Sequence, residues 1–217
     1  MSKHGRFSGE PRTDWLANRK AADRNMRVVD DFWFEDPDRK RWLAPAGSEV
    51  NGANIPRTLW SLLGSPYTGD YRRASVVHDV ACQGNPSFTE RRAADRMFYH
   101  ACRAGGCGRV EATILYVGAR IGALVPSVAA WRNAETRAYA RSTWSPPGAA
   151  EQKLAGDCLW VWEQLLAATN SDDPAKLEQE LDAILANVVG AAPLKAVRSP
   201  RRTGRSVTRA ARAAHGA

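Results

Sequence analysis

The 217-residue sequence has few cysteines and no long uninterrupted run of apolar residues. Its four cysteines are too few to staple a secreted scaffold of this length, so we expect reduced thiols and a cytoplasmic location. The first twenty residues lack an apolar run behind their charges, which predicts that no Sec-type signal peptide is present. The most apolar segment, residues 112–131, contains Arg120 and Pro126, so we expect no transmembrane segment.

Acidic residues are missing from the C-terminal end. Residues 195–217 contain seven Lys and Arg but no Asp or Glu, so this segment accounts for seven of the eight net positive charges. We therefore predict a disordered basic tail over residues 191–217. Such a tail would bind nucleic acid or an anionic membrane surface weakly and without sequence preference, because contacts with phosphate carry no sequence information.

The remaining pattern predicts a mainly helical α+β chain with a small N-terminal sheet. Residues 1–27 lack periodicity and are predicted to form a flexible arm. Aromatic and β-branched residues at 28–34 and 41–43 flank a turn-forming Asp-Pro-Asp and predict a β-hairpin. Helices are predicted at 71–82, 89–104, 109–124, 127–141, 151–168 and 174–189. A Ser-Pro-Pro-Gly string predicts a boundary between a core domain, residues 28–144, and a C-terminal helical pair, residues 149–190, which we expect to be a packing appendage.

Two consecutive helices, which we expect to form a hairpin, carry the residues with chemical potential. The first, with Asp70 as its expected N-cap, bears His78 and Asp79, and the second bears Asp95. His78 shares a helix face with small and apolar residues, which predicts partial burial and contact with Asp95 across the hairpin. A carboxylate bound to one imidazole nitrogen fixes the tautomer and leaves the other nitrogen to take a proton from water.

Asp79 is a candidate metal ligand. It lies about 100° around the helix from His78, which directs it towards the preceding loop. Calcium takes about six to eight oxygen ligands, and a carboxylate with loop carbonyls and water could supply them. Calcium is thus the candidate cofactor, and zinc is disfavoured because paired-His and Cys-x-x-Cys spacings are missing. The supporting residues predicted for this site are Gly47, Asn51, Gly52, Pro56 and Tyr71.

Several ordered motifs resemble a phage and bacterial family, domain of unknown function 1353. They are the string Asn51–Arg57 (NGANIPR), Trp60, Gly69, Tyr71, Ala74, His78-Asp79, Ala94-Asp95 and Phe98. The resemblance extends over about residues 28–131. It implies a protein of a bacterial cytoplasm or one associated with phage, and it implies no settled activity.

The hairpin itself resembles the helical hairpin of bacterial and parvoviral phospholipases A2. The matching strings are His78–Cys82 (HDVAC) and Ala94–Phe98 (ADRMF). This resemblance implies that His78 is the catalytic base, Asp79 the calcium ligand and Asp95 the orienting carboxylate. Cys82 stands where those enzymes carry Tyr, and residues 47–52 replace their glycine-rich calcium loop.

Three hypotheses of function follow. The first is a hydrolase of a lipid or small acyl ester, assisted by calcium, in which the free edge of the His78 ring faces an open cleft. The second is a non-enzymatic phage structural or accessory protein, in which the contact between His78 and Asp95 only locks the hairpin. The third is weak association of the tail, residues 195–217, with nucleic acid or an anionic surface.

Overall fold

Six short strands precede five helices in the computed structural model, which describes residues 2–16, 25–52, 68–125 and 149–189. The strands are β1 (Arg6–Phe7), β2 (Thr13–Trp15), β3 (Met26–Val28), β4 (Phe32–Glu35), β5 (Arg41–Ala44) and β6 (Glu49–Val50). The helices are α1 (Arg72–Ala81), α2 (Phe88–Gly105), α3 (Arg109–Leu124), α4 (Ala149–Ala168) and α5 (Pro174–Val189). The mainly helical α+β fold expected from the sequence is confirmed.

The strands form two antiparallel sheets of three strands each, in the orders β1-β4-β5 and β2-β3-β6. The predicted hairpin is the pair β4-β5, in which Trp33 lies opposite Leu43. Its turn is held by the Asp36 carboxylate, which accepts hydrogen bonds from the backbone N–H groups of Asp38 and Lys40. Asp favours this turn because its short side chain bonds to the backbone nearby.

Three strands occur where the sequence predicts a flexible arm over residues 1–27, so that prediction is wrong for the part described. β1 pairs with β4, and β2 pairs with β3. Phe7 of β1 also stacks on Phe32, with ring centroids 5.7 Å apart. Strands of two or three residues are too short to show alternation, and their stability comes from partners that lie elsewhere in the chain.

Helices α1 and α2 form the predicted hairpin. The side chain of Ser87 accepts a hydrogen bond from the Glu90 backbone N–H, and Glu90 bonds back to the Ser87 N–H, so a capping box begins α2. The N-cap of α1 is Tyr71, without a side-chain cap, and not the expected Asp70. Asp70 packs instead against the end of α2. A Cβ atom added to Gly105 would lie 2.3 Å from the Asp70 carbonyl oxygen.

The C-terminal helical pair shares one hydrophobic core with the rest of the protein. Its buried members are Leu154, Cys158, Val161 and Leu165 of α4, and Leu177, Leu181 and Leu185 of α5. Arg92 and Arg96 of α2 also form ion pairs with Glu178 of α5. The pair is thus an integral layer of the fold rather than an appendage.

Several predictions lie outside the described residues. They are the helix at 127–141, the boundary at 145–148 and the basic tail. Within the residues described, no helix is both long enough and apolar enough to span a membrane.

Candidate functional site

His78 and Asp95 meet across the α1-α2 hairpin, as their helix faces predict. The His78 Nε2 atom lies 2.9 Å from Asp95 Oδ1, and neither side chain has any exposed area. The imidazole also packs on the ring of Phe98, with centroids 4.5 Å apart. The pair is therefore fixed in one geometry by a hydrogen bond and by packing.

The complete burial of His78 corrects one expectation. The sequence predicts a partly buried ring with its free edge in an open cleft, whereas the structure seals the ring. The helix-face pattern could not foresee this, because burial depends on what packs over the hairpin from other parts of the fold. A water or substrate molecule can reach the ring only if that cover moves.

Asp95 has two further partners that the sequence did not indicate. Arg91 Nε lies 3.2 Å from Oδ1, and Arg120 Nη1 lies 3.5 Å from Oδ2. Burial by itself raises the pKa of Asp95, but the hydrogen bond from His78 and the charge of Arg91 lower it below its ordinary value. Asp95 is thus an ionised carboxylate in the interior.

Arg120 connects this centre to the C-terminal helical pair. Its side chain is buried, and its Nη2 atom lies 3.1 Å from Asp182 of α5. A signal for this role was present in the sequence, because an arginine in the middle of an apolar helix requires a buried acidic partner.

The two nitrogens of His78 have different surroundings. Nε2 is held by Asp95 and lies 3.5 Å from the Cys82 sulfur, whereas Nδ1 is buried and has no hydrogen-bond partner within the described part of the chain. Burial lowers the pKa of His78, but the electrostatic influence of the neighbouring Cys82 and the hydrogen bond to Asp95 outweigh it and raise the pKa to about 9. One edge of the ring is thus fixed by Asp95, and Nδ1 on the other edge is buried with its hydrogen-bonding capacity unused in the described structure.

His78, Cys82 and Asp95 also have the spacing of metal ligands, since one ligand atom from each lies within 4.8 Å of the others. Two guanidinium groups already neutralise the carboxylate of this group and would repel a cation. The cluster therefore favours a hydrogen-bonded centre over a metal centre. The sequence pointed to Cys82 only as a departure from phospholipases A2.

The predicted loop does reach Asp79. The Asn51 N–H donates to Asp79 Oδ2 over 2.6 Å, and the Gly52 N–H provides a second backbone interaction. Gly52 has a φ of 97°, a left-handed conformation that glycine adopts without strain. Burial raises the pKa of Asp79 to about 6 despite these donors.

The donors at Asp79 bear on the calcium prediction. Calcium is bound by oxygen acceptors, whereas the neighbours that the structure describes at Oδ2 are N–H groups. This part of the chain therefore does not assemble a calcium coordination sphere, and calcium binding by Asp79 stays a prediction.

The structure describes two of the other predicted supporting residues, Gly47 and Tyr71. Gly47 donates its N–H to the Val28 carbonyl and forms a turn beside β3. Tyr71 is buried in the core, and burial raises the pKa of its hydroxyl group. Pro56 falls outside the described residues.

Comparison with protein families gives one match. Residues 26–119 match a family described as "Protein of unknown function (DUF1353)". This segment extends from β3 into α3 and includes His78, Asp79 and Asp95. It confirms the family resemblance drawn from the motifs, over less than half of the chain, whereas the resemblance to phospholipases A2 stays a prediction.

The chain is also similar to two proteins of Sinorhizobium fredii. It is 42% identical to "Uncharacterized protein y4jT" over 94 residues, which are 42% of this chain and 26% of that protein. It is 28% identical to "Uncharacterized protein y4iH" over 158 residues, which are 69% of this chain and 65% of that protein. The chain thus spans less than two thirds of each of these relatives. No solved structure matches the chain at a significant level.

Proposed function

We propose that the protein is an acyl-ester hydrolase in which His78 is the general base and Asp95 orients it. The observation that supports this most is the asymmetry of the imidazole. Nε2 is fixed by Asp95 at 2.9 Å, and Nδ1 has no partner in the described structure. A purely structural histidine would be expected to use both nitrogens, because buried polar groups are nearly always hydrogen-bonded.

The reaction proposed is hydrolysis by an activated water. Nδ1 accepts a proton from the water while its oxygen attacks the ester carbonyl, and the tetrahedral intermediate then expels the alkoxide, which takes the proton back from His78. Asp95 stabilises the imidazolium that forms between these steps. Arg91 and Arg120 keep Asp95 ionised, so the carboxylate remains an acceptor throughout.

The substrate class proposed is a lipid or small acyl ester. It is supported by the resemblance of the hairpin to phospholipases A2 and by the same order of His78, Asp79 and Asp95. No step is assigned to calcium, because the groups described around Asp79 include N–H donors. Activity then has to be present without added calcium.

His78→Gln separates catalysis from structure. The glutamine amide can still donate to Asp95 from nearly the position of Nε2, but it supplies no base. We expect hydrolysis of a chromogenic short-chain acyl ester, compared at equal folded fraction, to fall about 10²–10⁴-fold. His100→Gln is the matched control on α2, because His100 contacts His4 and not Asp95. Wild-type protein that hydrolyses neither this ester nor phospholipid vesicles would eliminate the proposal.

The second candidate is a structural role, and the sealing of the ring favours it. His78, Asp95 and Arg120 are all buried and connect α1, α2 and α3, as expected for an ion network that fixes helix positions. In that case the wild-type protein has no esterase activity, and His78→Ala lowers the free energy of unfolding by about 3–5 kcal/mol. Activity in the wild-type protein that is lost in His78→Gln would exclude a purely structural role.

A further inference from the structure

A cleft of about 270 Å³ lies beside the buried pair, on the side of Asp95 and Cys82. Its walls come from the turn between α1 and α2, the first turn of α2 and the last turns of α3. Arg91 and Arg120 line it, and among the residues that the structure describes no Asp or Glu does. An uncompensated positive potential in a concave site of this kind favours an anionic ligand.

The balance of charges around the cleft also favours an anionic ligand. Arg91 and Arg120 share the single charge of Asp95 with His78. Arg120 has Asp182 as a second partner, but Asp182 also binds Arg92. Cationic groups therefore outnumber the carboxylates available to them.

Two guanidinium N–H groups at the cleft lack acceptors. Arg91 Nη2 and Arg120 Nε are buried without a hydrogen-bond partner in the part of the chain described. A buried donor that leaves its hydrogen bond unmade costs free energy. Both arginines line the cleft, so a small shift of their side chains towards an acceptor there would recover it. Guanidinium groups suit carboxylate and phosphate oxygens because their planar donors match the geometry of these anions.

Apart from Cys82 and Asn85, the rest of the described lining is apolar. Phe88 comes from α2, and Ala123 and Leu124 come from α3. The volume is slightly below the range of about 300–1,000 Å³ that is usual for drug-sized ligands. A ligand that matches both the arginines and the apolar residues of the lining therefore carries one anionic group and a short hydrocarbon portion.

We propose that this cleft binds a small amphiphilic carboxylate, with its anionic group at Arg91 and Arg120 and its hydrocarbon against Phe88 and Leu124. The site goes beyond the proposed hydrolase function. It lies at the Asp95 side of the imidazole, whereas hydrolysis would use Nδ1. Binding can therefore be measured without turnover, and failure of one proposal leaves the other standing.

The test uses octanoate as the probe, with inorganic phosphate and 1-octanol as its anionic and apolar halves. We expect saturable binding of octanoate to the full chain by calorimetry, with a rise in melting temperature, and binding at least about tenfold weaker for either half. Equal binding of 1-octanol would overturn the role of the arginines. Equal binding of phosphate would overturn the role of the apolar wall.

Two matched pairs of variants locate the site. Ala123→Asp places a negative charge in the lining and should weaken octanoate binding at least about tenfold, because juxtaposed like charges cost several kcal/mol. Ala123→Asn has nearly the same volume and should weaken it much less. Arg91→Gln should also weaken binding, whereas Arg96→Gln removes the same charge from the same helix outside the cleft and should not. Unchanged binding in Ala123→Asp, or equal losses in both members of a pair, would refute this location.

Discussion

Neutralising Asp95 tests how much the buried centre contributes to the fold. Asp95→Asn keeps the size of the side chain but removes the charge that His78, Arg91 and Arg120 share. Breaking a buried ion pair from one side costs about 3–5 kcal/mol, because the other charge is left in the interior. Arg120 keeps Asp182, which is partly exposed, so we expect a loss at the lower end, about 3 kcal/mol.

The assay is equilibrium unfolding in urea, with an unchanged m-value as the sign that only stability has changed. Asp30→Asn is the matched control, because Asp30 forms an exposed pair with Arg12 and should change stability by less than about 0.5 kcal/mol. A loss below about 1 kcal/mol for Asp95→Asn would refute the view that this carboxylate anchors the centre.

The pH dependence gives the same experiment a second readout. The pKa of His78 is raised from 6.5 to about 9 in the folded protein, so the protonated ring is the form that folding favours. Its contribution to stability is therefore complete below about pH 6.5 and is lost as the pH rises through about 9. Asp95→Asn should flatten this part of the stability curve, and an unchanged slope would mean that Asp95 does not hold the proton.

Three further predictions concern the end of α2 and the loop at Asp79. Gly105→Ala should destabilise the protein by about 1–3 kcal/mol in urea unfolding, because the added Cβ would lie 2.3 Å from the Asp70 carbonyl oxygen. Gly108→Ala is the control and should cost less, because its added Cβ meets nothing within 4 Å. Burial raises the pKa of Asp79 to about 6, so the free energy of unfolding should fall as the pH rises from about 4 to 6. Asp79→Asn should remove this fall. Calcium should leave the melting temperature unchanged, and a rise that Asp79→Asn abolishes would contradict the coordination argument and restore the predicted calcium site.

Helix boundaries could be predicted well because their signals are local. Gly105-Gly106 ends α2 as expected, and Pro174 opens α5 after two aspartates. The strands β1 and β2 were missed because their partners are distant in sequence. The cap of α1 was wrong because Asp70 is used in packing against α2 instead.

The candidate site likewise has features that local sequence signals predict and features that depend on distant parts of the chain. The contact between His78 and Asp95 follows from two helix faces and one short turn, which the sequence contains. The role of Arg120 and the sealing of the ring depend on how α3 and α5 pack around the hairpin, whereas Arg91 lies one turn before Asp95 within α2 itself. Patterns within one helix predict which face is buried, but not which distant charge lies against it.

The dependence of acyl-ester hydrolysis on pH is the most direct test of His78 as a base. If Nδ1 takes the proton from water, kcat/KM for the wild-type protein rises with pH and levels off near the His78 pKa of about 9. The same rising limb should be missing from His78→Gln at equal folded fraction. A wild-type profile that is flat from pH 6 to 10, or one that His78→Gln reproduces, would contradict a catalytic role for this histidine.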